Sequence, residues 1–340
     1  MVMLLLGLAL AADPALDAPI PQPPPPTEPG PPDPSDPGPD VRMPFGRTVE
    51  ETIGDAVTLR QRGDLAGARA LLVTLEPQVP AAGLGAYLYQ RGICEELGNA
   101  PDAARAFYEQ VIALGGDFAV DAHFRRALVL EDLGLYEAAL DEVLLLDKVR
   151  GLSADDELTV SLQRGISELN TGKRTRGIRR IQKALAATEG GDTHRYLRAK
   201  ARYHLARALL DEADALSLTG PERRVVKRLE GRALRIKAAE QQIIALTSLQ
   251  EPEWVLASLI SLGDSYGRLA TDLAASAPPK RLDPAQVEIY RAEVGKKAEN
   301  VRTKSFHAYD SGVALATRLA WESLRVATLK ERRAAFDGQR

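Results

Sequence analysis

Four histidines, one cysteine and a few runs of carboxylates are the residues in this 340-residue chain whose types could do chemistry. A metal site on a helix needs ligands three or four residues apart, as in His-Glu-x-x-His, so that they converge on one face. His123, His194, His204 and His307 do not have that spacing; the closest pair, His194 and His204, is ten apart. Cys94 has no second cysteine to form a disulfide or a thiolate cluster with, and its place after Ile93 in an apolar helical pattern reads as a small buried hydrophobe. Gly115-Gly116 and Gly190-Gly191 fall where helices should end and so read as caps rather than phosphate cradles. The carboxylate runs Glu95-Glu96, Glu131-Asp132 and Asp155-Asp156-Glu157 read as polar helix faces or helix N-termini. No catalytic residue, metal ligand or cofactor is expected.

The elements that carry these residues are helical. Hydrophobic residues make up 45% of the chain, charged residues 27% and aromatic residues only 5%, a composition that suits close-packed helices better than sheets. A net charge of -3 exerts no overall pull on nucleic acid or anionic lipid. Charge is nevertheless concentrated locally. Lys173, Arg174, Arg176, Arg179, Arg180 and Lys183 form one cationic stretch, and Arg223, Arg224, Lys227, Arg228, Arg232, Arg235 and Lys237 form another. Neither is interleaved with aromatics, which argues against single-stranded nucleic acid. Each reads as a solvated helix face or as a surface for an anionic envelope polymer or acidic protein.

Val2 to Ala12 is an uncharged apolar run, shorter than the ~20 residues a membrane-spanning helix needs. With Ala9-Leu10-Ala11 as a small-residue cleavage site, residues 1–12 read as a signal peptide. Fourteen of the 22 prolines lie between Pro14 and Pro44, so no helix or sheet can form there, and residues 13–46 read as an extended, solvated linker.

From Thr48 onward a repeat sets the pattern. Small residues occur in pairs twelve apart: Ala56 and Ala68, Gly92 and Ala104, Ala127 and Ala139, Gly165 and Gly177. Successive pairs are separated by 36, 35 and 38 residues. Between the members lies a turn, at Gly63-Asp64, Gly98-Asn99, Gly134 and Gly172. Four residues after each second member stands a larger apolar residue, namely Leu72, Tyr108, Val143 or Ile181, and three further on another, Leu75, Val111, Leu146 or Ala184. Two antiparallel helices approach closely only where their crossing carries Gly or Ala. Each hairpin then leaves an apolar face for the next hairpin to cover, so hairpins stack.

In these offsets the chain resembles the tetratricopeptide repeat family, most clearly at Ala127, Gly134-Leu135-Tyr136, Ala139, Val143 and Leu146. It departs from the family pattern in lacking the tryptophan of the first helix in all four copies and in its slightly long periods. The resemblance implies an all-α solenoid, a right-handed superhelix of hairpins over residues 47–189, followed by divergent repeats and capping helices over 190–340. It also implies a concave groove lined by the residues three before and one after each first small residue: Ile53 and Val57, Tyr89 and Ile93, Phe124 and Leu128, Leu162 and Ile166. All eight are apolar, unlike the Lys and Asn clamp that relatives use for chaperone tails. The groove is therefore either filled by the chain's own Tyr290–Ala320 helix, expected to bend at Ser311-Gly312, or open to an apolar segment of a partner.

Beyond residue 190 the pattern predicts a helix to Leu216, a break at Thr219-Gly220-Pro221, one long helix from Glu222 to Leu249, and another from Glu253. Asp283-Pro284 is a strong helix start. Trp321-Glu322-Ser323 imitates the catalytic dipeptide of exported lytic transglycosylases, but a terminal helix offers no shielded acid. The expectation is a non-catalytic protein-protein interaction scaffold of a bacterial envelope, periplasmic or otherwise exported. The alternatives are an accessory or enzyme acting on cell-wall glycan, and a cytoplasmic adaptor if the leader is retained.

Overall fold

The computed structural model describes residues 48–76, 79–188 and 194–337; the leader-like run, the proline-rich segment and Gly190-Gly191 lie outside them. The described chain is all-α, an α-solenoid of antiparallel hairpins. It divides into two compact units, one holding residues 48–187 and the other residues 194–337.

In the first unit eight helices form four hairpins. These are α1 (Val49–Gln61) with α2 (Leu65–Leu75), α3 (Leu84–Leu97) with α4 (Pro101–Leu114), α5 (Ala119–Asp132) with α6 (Tyr136–Leu146), and α7 (Ala154–Asn170) with α8 (Arg174–Ala187). Local chemistry starts them. Thr48 and Glu51 form a reciprocal capping box on α1, Ser153 and Asp156 form another on α7, and Pro101 occupies the first turn of α4. The turns between paired helices each require one left-handed residue: Gly63 (φ 88°), Asn99 (φ 57°), Gly134 (φ 74°) and Gly172 (φ 82°). Each lies seven residues after the first small residue of its pair, so turn and crossing keep one register. In the second copy this residue is Asn99 rather than Gly98, since asparagine tolerates this conformation better than other side chains.

The small residues lie where the helices touch. A Cβ on Gly92 would stand 2.5 Å from the Tyr108 ring, and one on Gly165 would stand 2.6 Å from Ile181. Gly177 is tighter, its added carbon meeting the Leu169 and Gly165 backbones at 2.5 and 2.7 Å. The large residues predicted to fill between hairpins, Leu72, Tyr108, Val143 and Ile181, are fully buried.

The second unit has longer helices: α9 (Arg195–Asp214), α10 (Glu222–Thr247), α11 (Pro252–Ala274), α12 (Pro284–Arg318) and α13 (Leu324–Asp337). Asp283 caps α12 in a box with Gln286, with Pro284 at its first position. α11 packs against α9, α10, α12 and α13. The same crossing device recurs with different partners: Gly263 of α11 lies under the Tyr309 ring, and Gly312 of α12 under Leu329. α12 runs unbroken for 35 residues through Ser311-Gly312. Gly312 serves close approach to α13. Along α12, Tyr290, Val294, Ala298 and Val301 belong to the core this unit builds with α9–α11, while Tyr309, Leu315 and Ala316 belong to a second core with α13. Its apolar stripe is thus occupied within its own unit.

Candidate functional site

The eight groove positions separate into two sets. Ile53, Ile93, Leu162 and Ile166 are buried, the last two with no exposed surface, and present nothing to a partner. Val57, Tyr89, Phe124 and Leu128 are half-buried and come from the first helices of three successive hairpins. Tyr89 is held between rings, 5.4 Å from Phe118 and 6.1 Å from Tyr108 by centroid. Phe124 packs at the edge of the core around Ala127, Val143, Leu146 and Val160.

Polar networks that tie consecutive hairpins together flank this row. The Tyr108 hydroxyl donates to Glu96 at 2.7 Å, and Arg125 donates to both oxygens of the same carboxylate at 3.1 and 3.2 Å. Burial raises the Tyr108 pKa, and Glu96 raises it further. Burial, the largest single effect, would lower that of Arg125, but Glu96, Tyr108 and Tyr89 together more than offset it, so the guanidinium stays charged. One hairpin on, Glu142 accepts from Arg126 and lies 2.6 Å from His123 Nδ1, while Arg126 also reaches Glu109. Between α5 and α7 the Ser167 hydroxyl donates to Glu131 at 2.9 Å, and the Gln163 amide donates to the Phe124 carbonyl at 3.2 Å. Glu131 is 2% exposed, so it does not lie on a polar face as its sequence neighbourhood predicts. These contacts position the apolar row; none aims an unpaired acid or base at open space.

The second unit corrects one of the cationic stretches. Arg232 has no exposed surface and is held by Asp214 and Asp272, so it is a core ion pair rather than part of a solvated face. Arg228 donates to the Ser217 and Thr219 carbonyls, and Arg235 pairs with Glu212. In the first unit Arg180 pairs with Glu168, whereas Lys173, Arg176, Arg179 and Lys183 make no ion pair among the described residues.

The chemistry-bearing residues are placed as follows. Cys94 is buried, which raises its thiol pKa and keeps it from being a thiolate. Burial, then Lys200, Arg207 and Arg325, hold the His204 pKa well below its ordinary value, so the imidazole is neutral. Glu322 lies exposed in the connection between α12 and α13 rather than on a helix, and nothing shields it as a glycosidic acid would require. Gly263-Asp264-Ser265-Tyr266-Gly267 has the Gly-x-Ser-x-Gly spacing, although no nucleophile elbow is read from the sequence above. It is mid-helix, and Ser265 is fully buried and donates to Asp214 at 2.8 Å. An elbow needs a strand-to-helix turn that exposes the hydroxyl; here the first glycine faces Tyr309 instead. Among the described residues no group of three His, Cys, Asp or Glu side chains could hold a metal ion, and no helix is long and apolar enough to cross a membrane.

No protein-family model and no curated protein matches the chain. Among solved structures, a tetratricopeptide repeat protein from Parabacteroides merdae ATCC 43184 aligns with 84% of this chain and 97% of its own, at 16% identity and a TM-score of 0.43.

Proposed function

We propose that this chain is a non-catalytic scaffold that holds an apolar segment of a partner protein across Val57, Tyr89, Phe124 and Leu128. The observation that carries the proposal is that these four apolar side chains remain only partly buried at the two groove offsets of α1, α3 and α5, while the rest of the eight-residue set is buried. The buried members fix the helix spacing, so the row is preformed and a partner need not order it. Tyr89, fixed by ring contacts to Phe118 and Tyr108, has the character of a binding hot spot.

The cations of α8 that make no ion pair among the described residues, Arg176, Arg179 and Lys183, recur every three or four residues and so share one helix face, with Lys173 just before its start. They support a second, anionic contact, with an acidic protein or an anionic envelope polymer. The short apolar run Val2–Ala12 supports a bacterial envelope, periplasmic or otherwise exported, as the place of action.

The test is co-purification from the native envelope with wild-type chain and with Phe124→Glu or Leu128→Glu. Loss of the co-purifying protein at an unchanged Tm supports the groove. Full retention of the partner in both variants would remove it.

A further inference from the structure

The second unit contains a cavity of about 690 Å3 that no repeat or crossing accounts for. It lies between the connection after α9, the first turns of α10, the proline-rich connection from α11 to α12, and α12 itself. Its volume is within the range of about 300–1,000 Å3 typical of small-molecule pockets. The floor is aliphatic, from Leu229, Leu273, Val226 and Val294. Its frame is fixed by backbone chemistry. Pro221, Pro278 and Pro279 line it, Arg228 ties down the Ser217 and Thr219 carbonyls at 3.1 and 3.0 Å, and Arg281 bridges to Glu222 at 2.9 Å across two of its walls.

Two polar groups lack protein partners there. Tyr290 lines the cavity and is 7% exposed, yet its hydroxyl makes no hydrogen bond among the described residues. That hydroxyl is not among the fully enclosed polar atoms, so it is open to a ligand group that enters the cavity. Lys280 stands exposed on the rim and makes no ion pair among the described residues, whereas the neighbouring Arg281 is neutralised by Glu222. The charged lining residues therefore leave one positive charge uncompensated.

We propose that this cavity binds an amphiphile made of an aliphatic chain and one anionic head, the chain lying on the Leu229–Val294 floor and the head meeting Tyr290 Oη and Lys280 Nζ. The aliphatic floor supplies affinity in proportion to buried chain, and the two polar groups fix which end faces out. This site is separate from the apolar row of the first unit and does not depend on the scaffold reading.

The test uses the full chain, titrated with dodecanoate, with dodecanol as the neutral match, and with lysophosphatidylglycerol. Binding is read by calorimetry, and Tm is recorded for every variant. Saturable one-to-one binding of dodecanoate is expected, weaker for dodecanol by about tenfold, a typical worth of one charge-assisted contact. Tyr290→Phe and Lys280→Gln should each weaken dodecanoate by roughly three- to tenfold without moving Tm. Val226→Trp, which fills the void, should abolish binding while the chain stays folded. A preference for lysophosphatidylglycerol over dodecanoate would mark a phospholipid as the source and the reverse preference a free acid; both support the site. The proposal is overturned if neither anion binds, if dodecanol binds equally well, or if folded Val226→Trp binds as wild type.

Discussion

At the scale of single residues, Cys94 and His204, which the sequence singles out for chemistry, are held by packing. His204 shows this in its protonation. Desolvation, then Lys200, Arg207 and Arg325, depress its folded-state pKa, so the unfolded chain takes up a proton that the folded chain refuses. Stability is therefore fully present above about pH 6.5, the unfolded value, and is lost as pH falls below it at about 1.4 kcal/mol per unit. Chemical denaturation at pH 7 and pH 5.5 should show that loss, and His204→Gln should lack it. Arg232 shows the same principle with a permanent charge. Arg232→Ala leaves Asp214 and Asp272 short of their buried counter-ion and should cost about 3–5 kcal/mol, whereas the half-exposed Arg235→Ala should cost under about 1 kcal/mol. The difference was not legible in the sequence. Arg232 and Arg235 belong to one cationic run, and only the return of α9 and α11 with Asp214 and Asp272 decides which of them is inside.

At the scale of helices and hairpins, much more was legible. The twelve-residue pairs, the turn register and the large residues behind them are local patterns, and each has a local physical cause at Gly92, Gly165 or Gly177. Gly177 is the sharpest case, because its missing Cβ leaves room for backbone rather than for a side chain that could move. Gly177→Ala should destabilise by about 1–3 kcal/mol through overpacking. Gly54 lies on the exposed face of α1 with nothing within 4 Å of an added Cβ, so Gly54→Ala should stabilise by about 0.5–1 kcal/mol. Thermal denaturation of the two variants side by side checks both signs. The groove was legible only in part. Offsets from the small residues place Leu162 and Ile166 on the same helix face as Phe124 and Leu128, but burial is set by neighbouring hairpins, which a period does not encode. The cavity beside Tyr290 was not legible at all, since its walls come from connections some sixty residues apart.

At the scale of the molecule, the chain is an array of crossings in which glycine and alanine set helix spacing and charged networks set alignment. Repeat arrays of this kind gain stability from each neighbour interface and present an extended surface across successive repeats. In the first unit the proposed partner face is Val57, Tyr89, Phe124 and Leu128, all partly buried. The account therefore rests on whether this face is occupied in the cell. A photo-crosslinking amino acid placed in turn at Val57, Phe124 and, as a control, the 68%-exposed Leu234 of the second unit measures it directly in living cells. The account predicts one common adduct from Val57 and Phe124 that is absent from Leu234. No adduct at Val57 and Phe124, or the same adduct at all three, would contradict it.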